Sequence, residues 1–317
     1  MTEEKLEKDI VLSDDLFEFV KVDEKASEKI ATPEYSYWGS VFRKFFSSKV
    51  AVFMLVVLIA VLAFAFIQPI FSGFDNLNTS NINNPKMRFI RPNWEHPFGT
   101  DDVGRPVFDL VWAGARTSLS ISFITTFITM TLGIIVGTVW GFNKKLDFYL
   151  MDIYNIVSNI PYTLIVMILS YTLGAGVPQL IFALSATSWI GVAYFMRVQV
   201  MIIRDREYNM ASKVLGSSTM KIITHNILPQ LISIIVTSAS TRMPAYVSTE
   251  VFLGYIGLGL TQSTASLGRT IQDHSQYMQS ATYLFIIPVA VLAVITVSFY
   301  IVGQKLADAS DPRNHGI

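Results

Sequence analysis

The stretch that decides the architecture runs from Ile153 to Met196, IYNIVSNIPYTLIVMILSYTLGAGVPQLIFALSATSWIGVAYFM: 44 consecutive residues without a Lys, Arg, Asp or Glu. A helix crosses a bilayer in about 20 mostly apolar residues, so this run is too long for one crossing and suits two. It contains its own break, Gly174-Ala175-Gly176-Val177-Pro178, a glycine and proline cluster that reads as a very short turn. The segment is therefore read as two spans, near 154–173 and 179–196. The same test applied outward finds charge-free runs of 25 residues after Lys49, 27 after Arg116, 20 after Lys221 and 31 after Asp273. These predict further spans near 50–71, 118–142, 224–247 and 282–303. The fifth span is the least regular, because it opens with His225, Asn226 and Pro229 and carries Arg242, whose guanidinium must reach an interface or face a wet cavity. A large soluble α-domain is the rival, but soluble helices rarely repeat charge-free stretches of this length.

Composition agrees. Among 317 residues, 51% are hydrophobic and 15% charged, against roughly 25% charged in a soluble domain, and mean hydropathy is +0.45. Net charge is zero, which leaves no electrostatic footprint for a nucleic acid. The zero is a cancellation, since residues 1–34 hold 11 acidic and 5 basic side chains while the remainder is basic. The expected organisation is an acidic, disordered tail over 1–34 with no signal cleavage site, then an interfacial segment and span 1 over 35–71. A long loop over 72–117, a core of spans 2–6 over 118–303 and a tail over 304–317 complete it. Six spans put both termini on one side. Arg43, Lys44, Lys49, Lys144 and Lys145, with Arg197, Arg204, Arg206, Lys213 and Lys221, make that side cytoplasmic by the positive-inside rule, and the long 1–2 loop external.

Several chemistries are excluded. There is no cysteine, hence no disulfide, Cys-ligated metal or thiol nucleophile. No GxxxxGK[ST], GxGxxG, HExxH or GxSxG occurs, so the chain is expected to bind no nucleotide or cofactor of its own. Asp101-Asp102 lies near His96 and offers metal-ligand types, but adjacent aspartates point in different directions, and a plain loop with no metal is the expectation. Carboxylates at membrane depth are limited to Glu250 and Asp273. That weakens a membrane enzyme and also a carrier coupled to protons or sodium.

The 4–5 loop reads Arg204-Asp205-Arg206-Glu207-Tyr208-Asn209-Met210-Ala211-Ser212-Lys213-Val214-Leu215-Gly216. Asp205 is a plausible N-cap, Glu207 sits in the first turn, and Gly216 is a natural stop. The resulting helix, about 205–216, is too short to stand alone in water. Tyr208, Met210, Ala211 and Leu215 give it an apolar surface outside the bilayer, suited to docking on a soluble partner or on the membrane; a plain amphipathic connector is the alternative. Ala211 and Ser212 are small enough for a partner backbone to approach closely.

Glu207-Tyr208-x-x-Ala211-Ser212-x-x-Leu215-Gly216 followed by Ile227-Leu228-Pro229 resembles the EAA loop of ABC-importer permeases, most closely the oligopeptide/dipeptide branch. Met210 stands where the family has the Glu of its EAA signature, and Ser212 where it has the second Ala. His96-Pro97-Phe98-Gly99-Thr100-Asp101-Asp102-Val103-Gly104-Arg105 with Gly114-Ala115-Arg116-x-Ser118-Leu119 is similar to that family's entry into span 2, with Pro106 for the usual Asp. Phe252–Gly259 and Ala309-x-Asp311-Pro312-Arg313 match two further signatures. The resemblance covers about residues 35–313 and points to the C-type permease subunit.

It implies an all-α, six-span fold of the type I importer class and a function as half of an ATP-driven oligopeptide import pathway. A channel or secondary carrier working without ATP is the alternative. The implied partners are a homologous B-type permease, two cytoplasmic ABC ATPases that use ATP and Mg, and an external peptide-binding protein, with lipid around the spans. Glu207, Tyr208, Met210, Ala211, Ser212, Leu215 and Gly216 would then form the coupling helix seated on an ATPase. Arg88, Arg91 and Arg105 are candidates for docking the binding protein, or else belong to a self-packed loop in which Arg105 pairs with Asp101 or Asp102. Arg242 and Glu250 either line the translocation path or form a structural ion pair.

Overall fold

A computed structural model of the chain describes residues 36–75 and 84–311, and every regular element among them is helical. Contacts group the chain into two units, residues 1–40 and 41–317. Of the first, only residues 36–40 are described, at the start of helix α1 (Tyr37–Ser47). The acidic stretch 1–34, together with Pro312 and Arg313, lies outside the described residues.

Helix α2 (Lys49–Ser72) starts where the Ser48 hydroxyl accepts from the Ala51 amide and stops at Gly73, whose φ of 58° few other residues adopt. Helix α3 (Val107–Phe142) begins 11 residues before the expected span, so part of the presumed loop is helix. Proline at 106 pre-sets the backbone there, and the first turns bury Val107, Leu110 and Val111. The third span is corrected. It comprises α4 (Lys144–Ser158) and α5 (Tyr162–Leu173), bent by 79° at Asn159-Ile160-Pro161. Pro161 has no N–H and forces Ile160 away from helical geometry, so the helix breaks although the hydropathy continues.

Helices α6 (Val177–Arg204) and α7 (Glu207–Val214) follow. A single turn, α8 (Thr219–Ile222), passes through a π-helical turn at Ile223–Ile227 into α9 (Leu228–Tyr255). The short α10 (Leu267–His274) and the long α11 (Tyr283–Ser310) complete the chain, so residues 304–310, expected as tail, are helical. Among the described residues five helices are long and apolar enough to cross a membrane, and the bent pair α4 and α5 has the length and apolarity of a sixth, as a broken span or a re-entrant loop.

Helix α3 is the hub. Gly133, Gly137 and Gly141, one turn apart, let α6 approach until a Cβ at Gly137 would lie 2.3 Å from the Ala193 carbonyl oxygen. Such small-residue faces drive close helix association where the hydrophobic effect between helices is weak. Buried hydroxyls on α3 are satisfied locally: Ser122 donates to the Ser118 carbonyl, Thr129 to Thr125 and Thr138 to Ile134, at 2.6–2.8 Å. A second face of α3 (Val111, Ala115, Leu119) packs with α2, α9, α10 and α11 through Leu58, Val247, Leu267 and Leu284.

Candidate functional site: a short helix slung between two long ones

Helix α6 ends and α9 begins at the α7 loop. Their other ends meet where the Gly176 amide donates to the Gly259 carbonyl at 3.4 Å. The two helices are thus an antiparallel pair, and α7 spans one end of it. Asp205 does not cap α7 as expected. The N-cap position falls on Arg206 with no side-chain bond, while Asp205 turns back to Arg204 at 3.0 Å. That guanidinium holds the Asp205 carboxyl below the usual carboxylate range. The stop at Gly216 has the expected form. Its φ is 84°, its amide donates to the Lys213 carbonyl, and Ser217 donates to the Ser212 carbonyl, the paired bonds of a Schellman turn. Ser218 then caps α8 by accepting from the Lys221 amide.

The residue that holds α7 in place is Asn209, which residue type alone did not single out. It is 2% exposed. Its amide donates to the Ile203 carbonyl at the end of α6 (2.9 Å), and its oxygen accepts from Asn226 at 3.0 Å. Asn226 also donates to the Ser212 hydroxyl at 3.3 Å, and the Tyr208 hydroxyl bonds Gln230 at 3.0 Å. One face of α7 is therefore fixed to both α6 and the root of α9. The other face presents Glu207, Met210 (52% exposed), Ala211, Val214 and Leu215 (85% exposed). The sequence-picked residues divide accordingly: Tyr208 and Ser212 bond within the chain, while Glu207, Met210, Ala211 and Leu215 face outward.

Beneath α7 lies a clamp of aromatic and charged groups. Asp147 accepts from Trp140 Nε1 at 2.7 Å and from Arg197 Nη2 at 2.8 Å. The Arg197 guanidinium lies over the Trp140 and Tyr194 rings, and Tyr194 stacks on Tyr154 at 4.0 Å. Arg204 donates to the Gly141 carbonyl at 2.8 Å. Two arginines that the sequence counted only as orienting charges thus tie α3, α4 and α6 together next to α7.

At the far end of the pair, loop 84–106 packs on α10 and the start of α11. Tyr283 donates to the Thr100 carbonyl at 2.8 Å and Tyr277 to Asp102 Oδ2 at 3.0 Å. Arg105 pairs with the buried Asp101 at 2.7 Å. The three arginines proposed for docking therefore differ. Arg88 and Arg91 are exposed beside the wholly exposed Trp94, with Arg88 bonded to the Asp102 carbonyl, whereas Arg105 turns inward as the self-packed reading requires. His274, not His96, is the histidine that the fold brings to Asp101 and Asp102. Burial keeps its imidazole below the ordinary histidine range, against the opposing pull of the two aspartates.

Arg242 and Glu250 are not brought together. Arg242 bonds the Ser238 hydroxyl at 3.3 Å, and no ion pair joins the two among the described residues. Glu250 is 0% exposed, so its carboxyl faces no open path in this conformation. The Ser118 and Ser266 hydroxyls are near it, but neither carboxylate oxygen reaches a hydrogen-bonding partner. Around it the α10 backbone presses against α9: a Cβ at Gly268 would meet the Val251 carbonyl oxygen at 2.4 Å.

Residues 129–315 match the family described as the binding-protein-dependent transport system inner membrane component, and residues 36–87 match the N-terminal TM domain of oligopeptide transport permease C. The chain is 50% identical to the oligopeptide transport system permease protein AmiD of Streptococcus pneumoniae, over 94% of this chain and 97% of that one. It is 31% identical to the oligopeptide transport system permease protein OppC of Bacillus subtilis over the same shares. It is 32% identical to the dipeptide transport system permease protein DppC of that organism, over 91% and 90%. A solved structure titled as inward-facing conformations of the MetNI methionine ABC transporter has the same fold in one of its chains. The TM-score is 0.52 at 19% identity, over 65% of this chain and 99% of that one.

Proposed function

The chain belongs to the family of inner-membrane components of binding-protein-dependent transport systems, and from that membership we propose how it works as the permease subunit of an ABC oligopeptide importer. It forms half of a membrane pathway with a second, homologous permease. Its α7 end faces the cytoplasm, where basic residues cluster, and loop 84–106 with α10 faces outward. Two cytoplasmic ATPases hydrolyse ATP with Mg, one seated on α7 of this chain, and an external binding protein delivers the peptide. This chain supplies no catalytic residue.

The observation that carries this reading is the two-faced α7. A helix of 8 residues is too short to hold itself together in water, yet this one is hydrogen-bonded on one side to two spans and leaves Met210, Val214 and Leu215 uncovered on the other. An apolar patch on a rigidly anchored helix suits a cleft in a soluble partner. Closure of the ATPases would push on α7, and α6 and α9 would move with it, opening the pathway outward.

The test is ATPase activity of the purified assembly in lipid nanodiscs. Leu215→Asp puts a charge at the centre of the proposed contact and should lower peptide-dependent ATPase activity by about tenfold or more, the equivalent of at least ~1.4 kcal/mol at an interface. Glu207→Ala should give a smaller loss. If Leu215→Asp hydrolysed and transported like the wild type, or if no nucleotide-binding subunit co-purified with the chain, α7 would not be the coupling element.

A further inference from the structure

Asp101 and His274 are 173 positions apart in the sequence, yet the fold gathers them with Asp102: one donor atom from each of the three lies within 4.8 Å of the other two. Asp101 is 0% and His274 1% exposed. Neither ring nitrogen of His274 has a hydrogen-bonding partner among the described residues. A buried imidazole that donates and accepts nothing costs free energy, and here it stands against two carboxylates. We propose that these three side chains are a binding site for one divalent first-row cation, of which Zn²⁺ fits the donor set best.

The chemistry selects the ion. One neutral imidazole with two carboxylates matches zinc, with water as a fourth ligand, whereas calcium and magnesium prefer oxygen-only sets. Tetrahedral zinc at about 2.0–2.2 Å from each donor needs them roughly 3.3 Å apart, so binding would draw together donors that now lie within 4.8 Å of one another. The carboxylates keep capacity for a metal. Asp101 Oδ1 accepts from the Val103 and Arg105 amides and Oδ2 from Arg105 Nε, while Tyr277 occupies Asp102 Oδ2. Each carboxylate nonetheless offers about four acceptor positions. These bonds do for the aspartates what outer-shell partners do in metal sites, fixing the orientation of the ligand. Asp101, Asp102 and Asp273 lie around the ring with Arg105, Arg269 pairs Asp273 at 3.3 Å and Arg88 donates to the Asp102 carbonyl, so the charges near the site balance without an ion.

Occupied, the site would clip loop 84–106 to the end of α10, beside the bonds that the Tyr277 and Tyr283 hydroxyls and the Phe89–Tyr277 contact make from the following turn and the start of α11. The clip does not depend on the import reading, because its ligands and its effect lie within one chain.

The experiment uses the full chain with its co-purifying subunits in nanodiscs, purified on a tag without histidine, stripped with chelator and re-equilibrated with zinc sulfate. Elemental analysis after desalting should find one zinc per chain, and zinc should raise the Tm of the stripped protein. His274→Gln and Asp102→Asn should each weaken zinc binding at least tenfold in competition with a chromophoric chelator, while His96→Gln should not. Cobalt substitution of the wild type keeps the proposal testable if the variants fold poorly: visible bands of a four-coordinate site with a nitrogen ligand support it. Loss of zinc on desalting, wild-type affinity in His274→Gln, a purely aquo-like cobalt spectrum, or displacement of zinc by equimolar calcium would each overturn it.

Discussion

Asn209 shows how much one side chain in α7 decides. Its two bonds, to Ile203 and Asn226, turn a helix that could not fold alone into a fixed extension of α6 and α9. Asn209→Ala removes two hydrogen bonds while the Ile203 carbonyl keeps the Arg206 amide and Asn226 keeps the Ser212 hydroxyl, at a cost of about 0.5–1.5 kcal/mol for each bond lost. We expect faster amide hydrogen exchange across residues 206–216 and reduced peptide-dependent ATPase activity, with the spans still inserted; exchange at the wild-type rate would disprove the anchoring role. Met210, Ala211 and Leu215 could be picked from sequence because an apolar side chain in a charged loop is a local anomaly. Asn209 could not, since asparagine in a polar loop looks like surface and its partner Asn226 lies 17 residues away. Glu250 is a second residue whose setting its type does not reveal. A lone carboxylate at membrane depth suggests a wet path, and only the packing of Gly268 on Val251 shows that it is enclosed.

At the level of elements, charge counting located the five long apolar helices and the bent α4–α5 pair but misjudged where helices begin, end and bend. It registers Lys, Arg, Asp and Glu, and is blind to a helix breaker inside an apolar run, which is how Pro161 escaped notice although it was in plain sight. It is equally blind to amphipathic ends, so the first three turns of α3 were read as loop. The glycines at 133, 137 and 141 carry information that hydropathy averages away, because their four-residue spacing makes the face on which α6 lies. Gly137→Leu would drive a side chain into the Ala193 carbonyl and Met196, and overpacking of this kind costs typically about 1–3 kcal/mol. The Tm in detergent should fall by several degrees, while Gly191→Ala, with no atom near the added methyl, should leave it unchanged. Equal melting of both variants and wild type would mean that α3 and α6 are held together elsewhere.

For the whole molecule, the two proposed docking surfaces lie at opposite ends of one antiparallel helix pair, and the end formed by loop 84–106 exposes Arg88 and Arg91. Arg88→Glu with Arg91→Glu should lower ATPase stimulation by the binding protein several-fold without changing basal hydrolysis, because reversing rim charges acts on encounter rather than on the buried contact. Unchanged stimulation across a salt titration would remove both residues from the docking surface. Arg105 belongs in no such variant, since its guanidinium braces Asp101. Between the two ends runs the stretch Thr219–Tyr255, 37 residues of nearly unbroken helix and so roughly 55 Å long. Its base is bonded to α7 through Asn226 and Gln230, and its tip touches α10 at Gly268. Under the coupling proposed above it would act as a lever: a rotation of about 5° about its α7 end would sweep its tip through about 5 Å, close to one helical pitch.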